Sequence, residues 1–463
     1  MRWNRQSKED CASLVNRVSN LESTEVARDS QSHLEFIGDI DPTTVIPDGS
    51  SILIVSKDQS YLTHGIHKFP AKFFPELPRY LIRRFSNERD TVLDPMCGSG
   101  TAVLEAVLNN RRGVGIDVDA IAQLLTKVKT TPVCPSLLKN VVSSLSTSIQ
   151  SIDKDGEFDG IIPEFNYRDS WFRPFVLKEL AMLKKCIDEV PRLYADMERD
   201  LLFDIRDFLR VVLSSIIRDV SNADSHCTRT VLRKRIIKKI APGDTISRFL
   251  TTLSKQVAAM NELWEVYSSS ARWDVQLPKS TAIHTGLDSE SIDLAVTSPP
   301  YINAVDYPRT HQLEMYWLDL LDEDGPLANV KRRYIGTEAV YKTDYQGLRV
   351  TNLETLDPIL ARIFETDPRR SYIVYKFFDD MEAQLTETMR VLKPGGHYCI
   401  AIGSNLIRGV LVKSHEILTE IATERTGFQL DRVFFSKLIR HFIRIPRKER
   451  MLGEWVIVLE KPR

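Results

Sequence analysis

Thr297-Ser298-Pro299-Pro300-Tyr301 follows directly on the apolar run Ile292 to Val296. Proline has no N–H to donate and a fixed φ, so two in succession make a strand that ends here leave its sheet as a stiff, extended loop with outward-facing carbonyls. Such a loop can hold a flat ligand with a polar edge. The Ser298 hydroxyl and the Ser298 or Pro299 carbonyl can accept hydrogen bonds from an exocyclic amino group, and the Tyr301 ring offers a stacking face. A nucleobase amine meets that description, but a proline-stiffened surface turn that binds nothing would have the same residues, and a second motif is needed to decide.

That motif lies about two hundred residues upstream. Thr91-Val92-Leu93-Asp94-Pro95-Met96-Cys97-Gly98-Ser99-Gly100-Thr101 runs into a helical pattern over Ala102 to Asn110. A β-branched run that breaks at small residues and restarts as a helix reads as strand, tight turn and helix N-terminus. Gly98 and Gly100 permit close backbone approach, and the helix start offers free N–H groups. Gly113-Val114-Gly115-Ile116-Asp117 then gives a second strand ending in an acid, spaced to accept hydrogen bonds from ribose hydroxyls. Cys97 reads as a small buried residue rather than a nucleophile, because no cysteine–histidine pair accompanies it.

With the two loops together, the chain resembles the S-adenosylmethionine-dependent DNA amino-methyltransferases. Asp94, Pro95, Met96, Cys97, Gly98, Ser99, Gly100 and Thr101 match the cofactor loop of that family, and Ser298, Pro299, Pro300 and Tyr301 match its catalytic loop. In that superfamily Ser-Pro-Pro-Tyr usually accompanies N4-cytosine methylation, whereas Asp- or Asn-Pro-Pro-Tyr usually accompanies N6-adenine methylation. Thr63 to Pro75 resembles the motif that precedes the cofactor loop in members with the cofactor half first, which implies that His67, Phe69 and Pro70, with His64, line the methionine end of the cofactor. The resemblance further implies S-adenosylmethionine as cofactor, double-stranded DNA with the target base rotated out as substrate, no metal, and a bacterial restriction-modification role with cognate restriction or defence proteins. N6-adenine or RNA amino methylation, and a catalytically inactive DNA-binding subunit, stay open as alternatives.

The elements that must position these loops read as an α/β fold: a doubly wound, mostly parallel sheet, Rossmann-like and of the class I methyltransferase type, with a largely helical inserted domain. Strands are predicted at Val92–Asp94, Gly113–Asp117, Ala282–Thr285, Ile292–Val296 and Tyr398–Ile402, with a Pro-Gly turn at Leu392 to Gly396 and a closing antiparallel pair at Val433–Phe435 and Trp455–Leu459. Helices are predicted at Pro75–Phe85, Ala102–Leu108, Ala120–Lys129 and His415–Thr426. The organisation follows as an N-terminal arm over 1–60, a cofactor-binding half over 61–131, a helical insert over 132–280 as the target recognition region, and a catalytic half over 281–463. Residues 1 to 30 read as a weak helix or mobile arm.

The chain has 463 residues and a formal net charge of −1, so any nucleic-acid footprint must come from local clustering. One cluster lies in the insert: Arg229, Arg233, Lys234, Arg235, Lys238 and Lys239, without an acid among them. Another runs from Lys437 to Arg450, and Arg309, with Asp306, Tyr307 and His311, follows the catalytic loop closely enough to border a base pocket. The insert also carries Phe165, Tyr167, Trp171 and Phe172. Six cysteines show neither zinc spacing nor a disulfide framework, and no apolar run is long enough for a membrane span, which points to a cytoplasmic, nucleoid-associated protein.

Overall fold

The computed structural model describes residues 32–153, 156–194, 198–225, 227–233, 238–302, 306–321, 327–437 and 452–463. The chain builds β3 (Thr91–Asp94), β4 (Arg112–Gly115) and β5 (Val275–Gln276) in one direction across a sheet, then returns beside β3 with β6 (Ile292–Thr297) and β7 (Leu392–Ile402). These five strands are mutually parallel. An antiparallel pair, β10 (Gln429–Lys437) and β11 (Gly453–Glu460), continues the sheet beyond β7. The far edge is made by β1 (His33–Ile37) and β2 (Ser51–Val55), the two apolar stretches of the first sixty residues, with β2 parallel to β10. The order across the sheet is β1-β2-β10-β11-β7-β6-β3-β4-β5, and β8 (Asn405–Ile407) and β9 (Val410–Val412) pair with each other as a separate antiparallel hairpin.

Alternation along the strands sends successive side chains to two separate cores. Val92, Leu294, Val296, Val456 and Val458 pack under helix α1 (Glu76–Phe85). Their neighbours Leu93, Ala295, Ile457 and Leu459 face the opposite layer, built by α8 (Asp357–Phe364), α9 (Pro368–Val391) and α10 (Ser414–Glu424). Helices α2 (Thr101–Leu108) and α3 (Ala120–Thr130) connect β3 to β4 and β4 onward.

The insert supplies α4 (Pro135–Ser151), α5 (Pro174–Leu193), α6 (Arg199–Val220) and α7 (Asp244–Ser269); the last three carry the helical periods at Phe175–Val190, Asp204–Val220 and Thr245–Tyr267 that the sequence shows, and α4 is an addition. Their apolar stripes share one core with Leu104, Val107, Ile121 and Leu125 of α2 and α3, so this region is fused to the cofactor half by a common hydrophobic interior. Three of its four marked aromatics serve packing: Trp171 and Phe172 belong to this core, and Phe165 stacks on Tyr316 with ring centres 4.4 Å apart. Tyr167 is 79% exposed.

Two local expectations need correcting. Ala282–Thr285 is not a strand: Thr281 and His284 form an isolated bridge closing a tight turn. Leu392 to Gly396 is not a turn before a strand but the start of β7, where the β6–β7 register shifts. Gly395, at φ +77°, lets its N–H reach the Lys461 carbonyl at 2.8 Å while the Lys461 N–H returns to Gly396 at 2.9 Å, so the Pro-Gly break becomes a bulge instead of a chain reversal.

A shared interior has a measurable consequence. Phe208 of α6 is fully buried in it, and Phe208→Ala should destabilise the chain by about 3–5 kcal/mol. Urea unfolding followed by tryptophan fluorescence and by circular dichroism should give one coincident, shifted transition; a separate early transition for the insert alone would contradict the common core.

Candidate active site

In a doubly wound sheet, ligands bind outside the carboxyl ends of the strands where the chain reverses its direction of winding. Here that point lies between β3 and β6. β3 ends at Asp94, and β6 ends at Thr297, whose hydroxyl donates to Asp94 Oδ1 at 2.7 Å. The two motifs, far apart in sequence, are thereby joined at one rim. Asp94 Oδ1 also accepts from the Met96 N–H at 3.2 Å, which turns the chain into the glycine-rich loop.

That loop is held from beneath. The Cys97 N–H donates to the Ile116 carbonyl at 2.9 Å, the Gly100 N–H to the Cys97 carbonyl at 2.7 Å, and the Thr126 hydroxyl to the Gly98 carbonyl at 3.1 Å. Gly98 and Gly100 both lie in the left-handed region, at φ +49° and +76°. A Cβ on Gly100 would meet the Thr126 side chain at 2.7 Å, and one on Gly98 would meet the Phe69 ring at 3.2 Å. Only glycine allows the loop this close to its floor.

A cavity of about 310 Å³ opens above the loop. Its floor is Asp94 to Ser99 with Thr101, and one wall is Asp117, Val118 and Asp119. Ser298 and Pro300 of the second motif form another wall, so both loops border the same space. Of the Thr63–Pro75 segment, Phe69, Ala71, Lys72 and Phe73 line the cavity, whereas His64, His67 and Pro70 do not. His67 is buried with Nδ1 donating to the Lys68 carbonyl at 3.0 Å and Nε2 accepting from the Ser214 hydroxyl at 2.8 Å. His64 is enclosed against Glu105 at 2.8 Å. Burial pushes both imidazoles down to about 4, so they are neutral fixtures that tie this segment to α6 and α2.

Three carboxyls border the cavity within one loop system. Burial raises Asp94 to about 7, helped by the charge of Asp117; burial raises Asp117 to about 6; and burial together with the Asp117 charge raises Asp119 to about 7. Asp117 accepts from the Gly98 N–H at 2.8 Å and the Asp119 N–H at 2.9 Å, so the acid that closes the second strand also braces the glycine loop. Asp119 caps α3 through the Ile121 N–H at 3.0 Å, and its other oxygen is buried without a partner. The Thr101 hydroxyl is orphaned in the same way. Glycines that admit a ligand to the backbone, carboxyls raised by desolvation and unpartnered polar atoms fit a cationic ligand that carries hydroxyls.

The catalytic-loop motif divides. Ser298 and Pro300 face the cavity, whereas Pro299 is buried and Tyr301 points elsewhere: its hydroxyl donates to the buried carboxyl of Glu454 on β11. Tyr307 lines the cavity together with Phe69, Phe73 and Tyr334, and stacks on Phe69 with centres 5.7 Å apart; His311 stacks on Phe69 in turn, at 5.1 Å. Sequence reading did not single out Thr281 to Ile283, Arg332 to Ile335 or the pair Lys376–Asp380, bonded at 2.8 Å, all of which line the space. An i,i+4 Lys–Asp pair on a helix carries no mark of lining a site, whereas Thr297, next to the motif and ending a buried strand, could have been flagged as a polar group needing a partner.

Arg229 pairs with Glu338 at 3.5 Å and Arg233 with Asp224 at 2.9 Å. Half-buried Lys238 donates to the Arg218 carbonyl at 2.8 Å, Lys239 and Arg309 are exposed, and Lys234 and Arg235 lie outside the described residues, as does nearly all of the Lys437–Arg450 cluster. Among the described residues no group of three or more His, Cys, Asp or Glu side chains could hold a metal ion, and no helix is long and apolar enough to cross a membrane.

The sheet order and the cavity at its switch point define a class I methyltransferase fold. Residues 28–126 match the N6/N4 DNA methylase family. The chain is 25% identical to the type II methyltransferase M.MvaI of Kocuria varians, over 78% of this chain and 81% of that protein. It is 23% identical to M.MjaII of Methanocaldococcus jannaschii, over 58% of this chain and 65% of that protein, and 21% identical to M.BsoBI of Geobacillus stearothermophilus, over 82% and 81%. The family match and these relatives support an S-adenosylmethionine-dependent DNA amino-methyltransferase, and the matched family covers both N4 and N6 enzymes.

Two outcomes test this geometry. Thr297→Val removes the hydroxyl that bridges the loops while keeping side-chain volume, and should lower methyl transfer about 10-fold, the equivalent of about 1–1.5 kcal/mol, with calorimetric cofactor affinity changed less; unaltered turnover would show that the bridge does not align the loops. The raised acids set a pH dependence. A carboxyl whose folded pKa lies above its unfolded value near 4 contributes its full stability below that value and withdraws it as pH rises through 6 to 7. The cationic cofactor favours the ionised forms, so its binding releases protons. The rise in melting temperature that a fixed S-adenosylmethionine concentration produces should therefore grow from pH 5.5 to pH 8, and a rise that is flat or shrinks over this range would contradict the assignment.

Proposed function

We propose that this chain methylates the exocyclic N4 of cytosine in double-stranded DNA, at a base rotated out of the helix into the cavity beside Ser298. The observation that carries the reading is the Thr297–Asp94 hydrogen bond, which brings the Ser-Pro-Pro-Tyr loop and the glycine-rich loop to one space. Ser-Pro-Pro-Tyr in place of an acidic or amide first residue supports cytosine over adenine.

S-adenosylmethionine supplies an electrophilic sulfonium methyl when bound. The residues of the chain then have two tasks. The first is to hold the donor: Asp94, Pro95, Met96, Cys97, Gly98, Ser99 and Thr101 shape the floor, Phe69 the methionine end, and Asp117 accepts from the ribose hydroxyls, with Gly100 setting the loop's approach. The second is to make an unreactive amine nucleophilic. An exocyclic amino nitrogen has its lone pair conjugated into the ring. The Ser298 hydroxyl and the Ser298 or Pro299 carbonyl accept its N–H bonds and favour the tetrahedral nitrogen that can attack. Pro299 and Pro300 keep those acceptors rigid. Once the nitrogen–carbon bond has formed, the nitrogen is acidic enough to lose its proton to water, and no strong base is needed. Tyr301, tied to Glu454, braces the loop, and Tyr307 on the cavity wall offers the stacking face for the base.

Rotating the base out costs a few kcal/mol, which contacts in such a pocket offset. Arg229, Arg233, Lys234, Arg235, Lys238 and Lys239 belong in sequence to the insert over 132–280, the region proposed to read the target sequence, and with Arg309 they are the residues proposed to meet DNA. The chain would act at the nucleoid in the cytoplasm, as the modification arm of a restriction-modification or other defence system.

Ser298→Ala should lower kcat about 10- to 100-fold, as expected for a lost hydrogen bond to a polarised group, with cofactor affinity unchanged by calorimetry. Nucleoside mass spectrometry of DNA from cells expressing the chain should reveal N4-methylcytosine. Methyl label found only in N6-methyladenine would overturn the cytosine assignment, and no label in any DNA would favour a non-catalytic subunit.

A further inference from the structure

We infer that residues 331–349, together with the first turns of α9, form a DNA-docking face that carries the duplex flanking the flipped base; the inference rests on the reading that DNA is the methyl acceptor. In this stretch Lys331, Arg332, Arg333, Lys342 and Arg349 stand against Glu338 and Asp344, five positive side chains to two negative, in a chain whose net charge is −1. The local excess is what a polyanion requires.

The placement is as informative as the charge. Arg332 at one end of this face and Lys376 of α9 at the other both line the cavity, so the surface opens onto the site from two directions. Between them lie two guanidinium–aromatic pairs. Arg332 sits 4.4 Å from the centre of the Tyr341 ring, and Arg349 sits 5.6 Å from that of Tyr372. Tyr372 packs on Tyr375, one residue before Lys376, with ring centres 5.8 Å apart. Tyr341 is 55% exposed, and Leu348 and Val350, on either side of Arg349 in the chain, are 41% and 64% exposed. A folding role does not account for large side chains left in water beside cations. Rings held against guanidiniums do suit a nucleic acid, because cations pair with phosphates while aromatic faces meet sugars or unstacked bases.

The segment is also tied to the insert. Glu338 receives Arg229 at 3.5 Å and Arg370 of α9 at 3.4 Å, and its carbonyl accepts from Arg369 at 2.8 Å. The Thr230 hydroxyl donates to the Thr310 carbonyl at 2.6 Å. These bonds set Arg229 and Thr230 of the insert beside the 331–349 face and the segment that follows the Ser-Pro-Pro-Tyr loop. A duplex crossing the mouth would touch both, with the insert on one flank and Tyr341 and Arg349 on the other.

The test uses the full-length chain and labelled fragments of genomic DNA, with binding followed by fluorescence anisotropy between about 50 and 200 mM salt. Lys342→Ala/Arg349→Ala should weaken binding at least ~10-fold and reduce the slope of log affinity against log salt by about 0.9 for each phosphate no longer neutralised. Tyr341→Ala should weaken binding while leaving that slope in place. S-adenosylmethionine affinity should stay at the wild-type value in all of them, which shows that the variants are folded. Exposed lysines on the insert's outer helices serve as control, as Lys139→Ala/Lys255→Ala. Wild-type affinity and slope in Lys342→Ala/Arg349→Ala, or an equal weakening in the control, would overturn the docking face. Failure of the parent reading looks different: the wild-type chain would transfer methyl to none of the fragments, whatever the salt slopes.

Discussion

Asp94 is a carboxyl with almost no access to water, at the end of a strand whose neighbour ends in a threonine. Burying such a group is unfavourable unless hydrogen bonds satisfy it. The Thr297 hydroxyl and the Met96 N–H do so from two directions, and in doing so they fix where two loops leave the sheet. The rest of the site follows from this constraint: the glycine loop cannot drift from the Ser-Pro-Pro-Tyr loop without stranding Asp94 inside the protein. The charge on Asp117 makes the burial still less favourable, and that unfavourable state is one a cationic cofactor relieves. The site is built with a deficit of positive charge that its ligand supplies.

Around that joint the fold divides its labour between the two faces of the sheet. The layer made by α8, α9 and α10 carries side chains that reach the cavity from the acceptor side, among them Lys376 and Asp380. The insert helices extend the opposite layer and share their interior with α2 and α3. A region that shares its interior with α2 and α3 is mechanically coupled to the glycine-rich loop that leads into α2. Buried His67, bonded to Ser214 of α6, is one such coupling.

Much of this was legible in the chain before any coordinates. A strand that breaks at Gly98 and Gly100 into a helix, an acid at the end of the next strand and a strand that exits through two prolines each carry local physics strong enough to be read alone. The helical period of the insert was equally plain, because amphipathic stripes survive without tertiary context. What failed to show was long-range pairing between unremarkable residues. Tyr301 looked free to stack on a base because Glu454, its partner, lies 153 positions away. Ala282–Thr285 looked like a strand because it is rich in β-branched residues, yet with no neighbouring strand to pair with, it closes as a turn between Thr281 and His284. His67 looked like a ligand because polar rings near a motif invite that reading, whereas the Lys68 carbonyl and the Ser214 hydroxyl of α6 satisfy its two nitrogens. Residues 331–349 have no period at all, and nothing short of the fold could bring them to the mouth of the site.

The central claim is that donor and acceptor meet in the slot between Gly98 and Ser298. A crystal structure with a non-transferable cofactor analogue and a duplex containing the methylated site would test it most directly. The account predicts the analogue lying across the glycine loop, its sulfur end toward Ser298, and the extruded base with its exocyclic nitrogen about 3–3.5 Å from the position of the transferable methyl. An analogue bound elsewhere, or a base held against a surface that does not include Ser298, would contradict it.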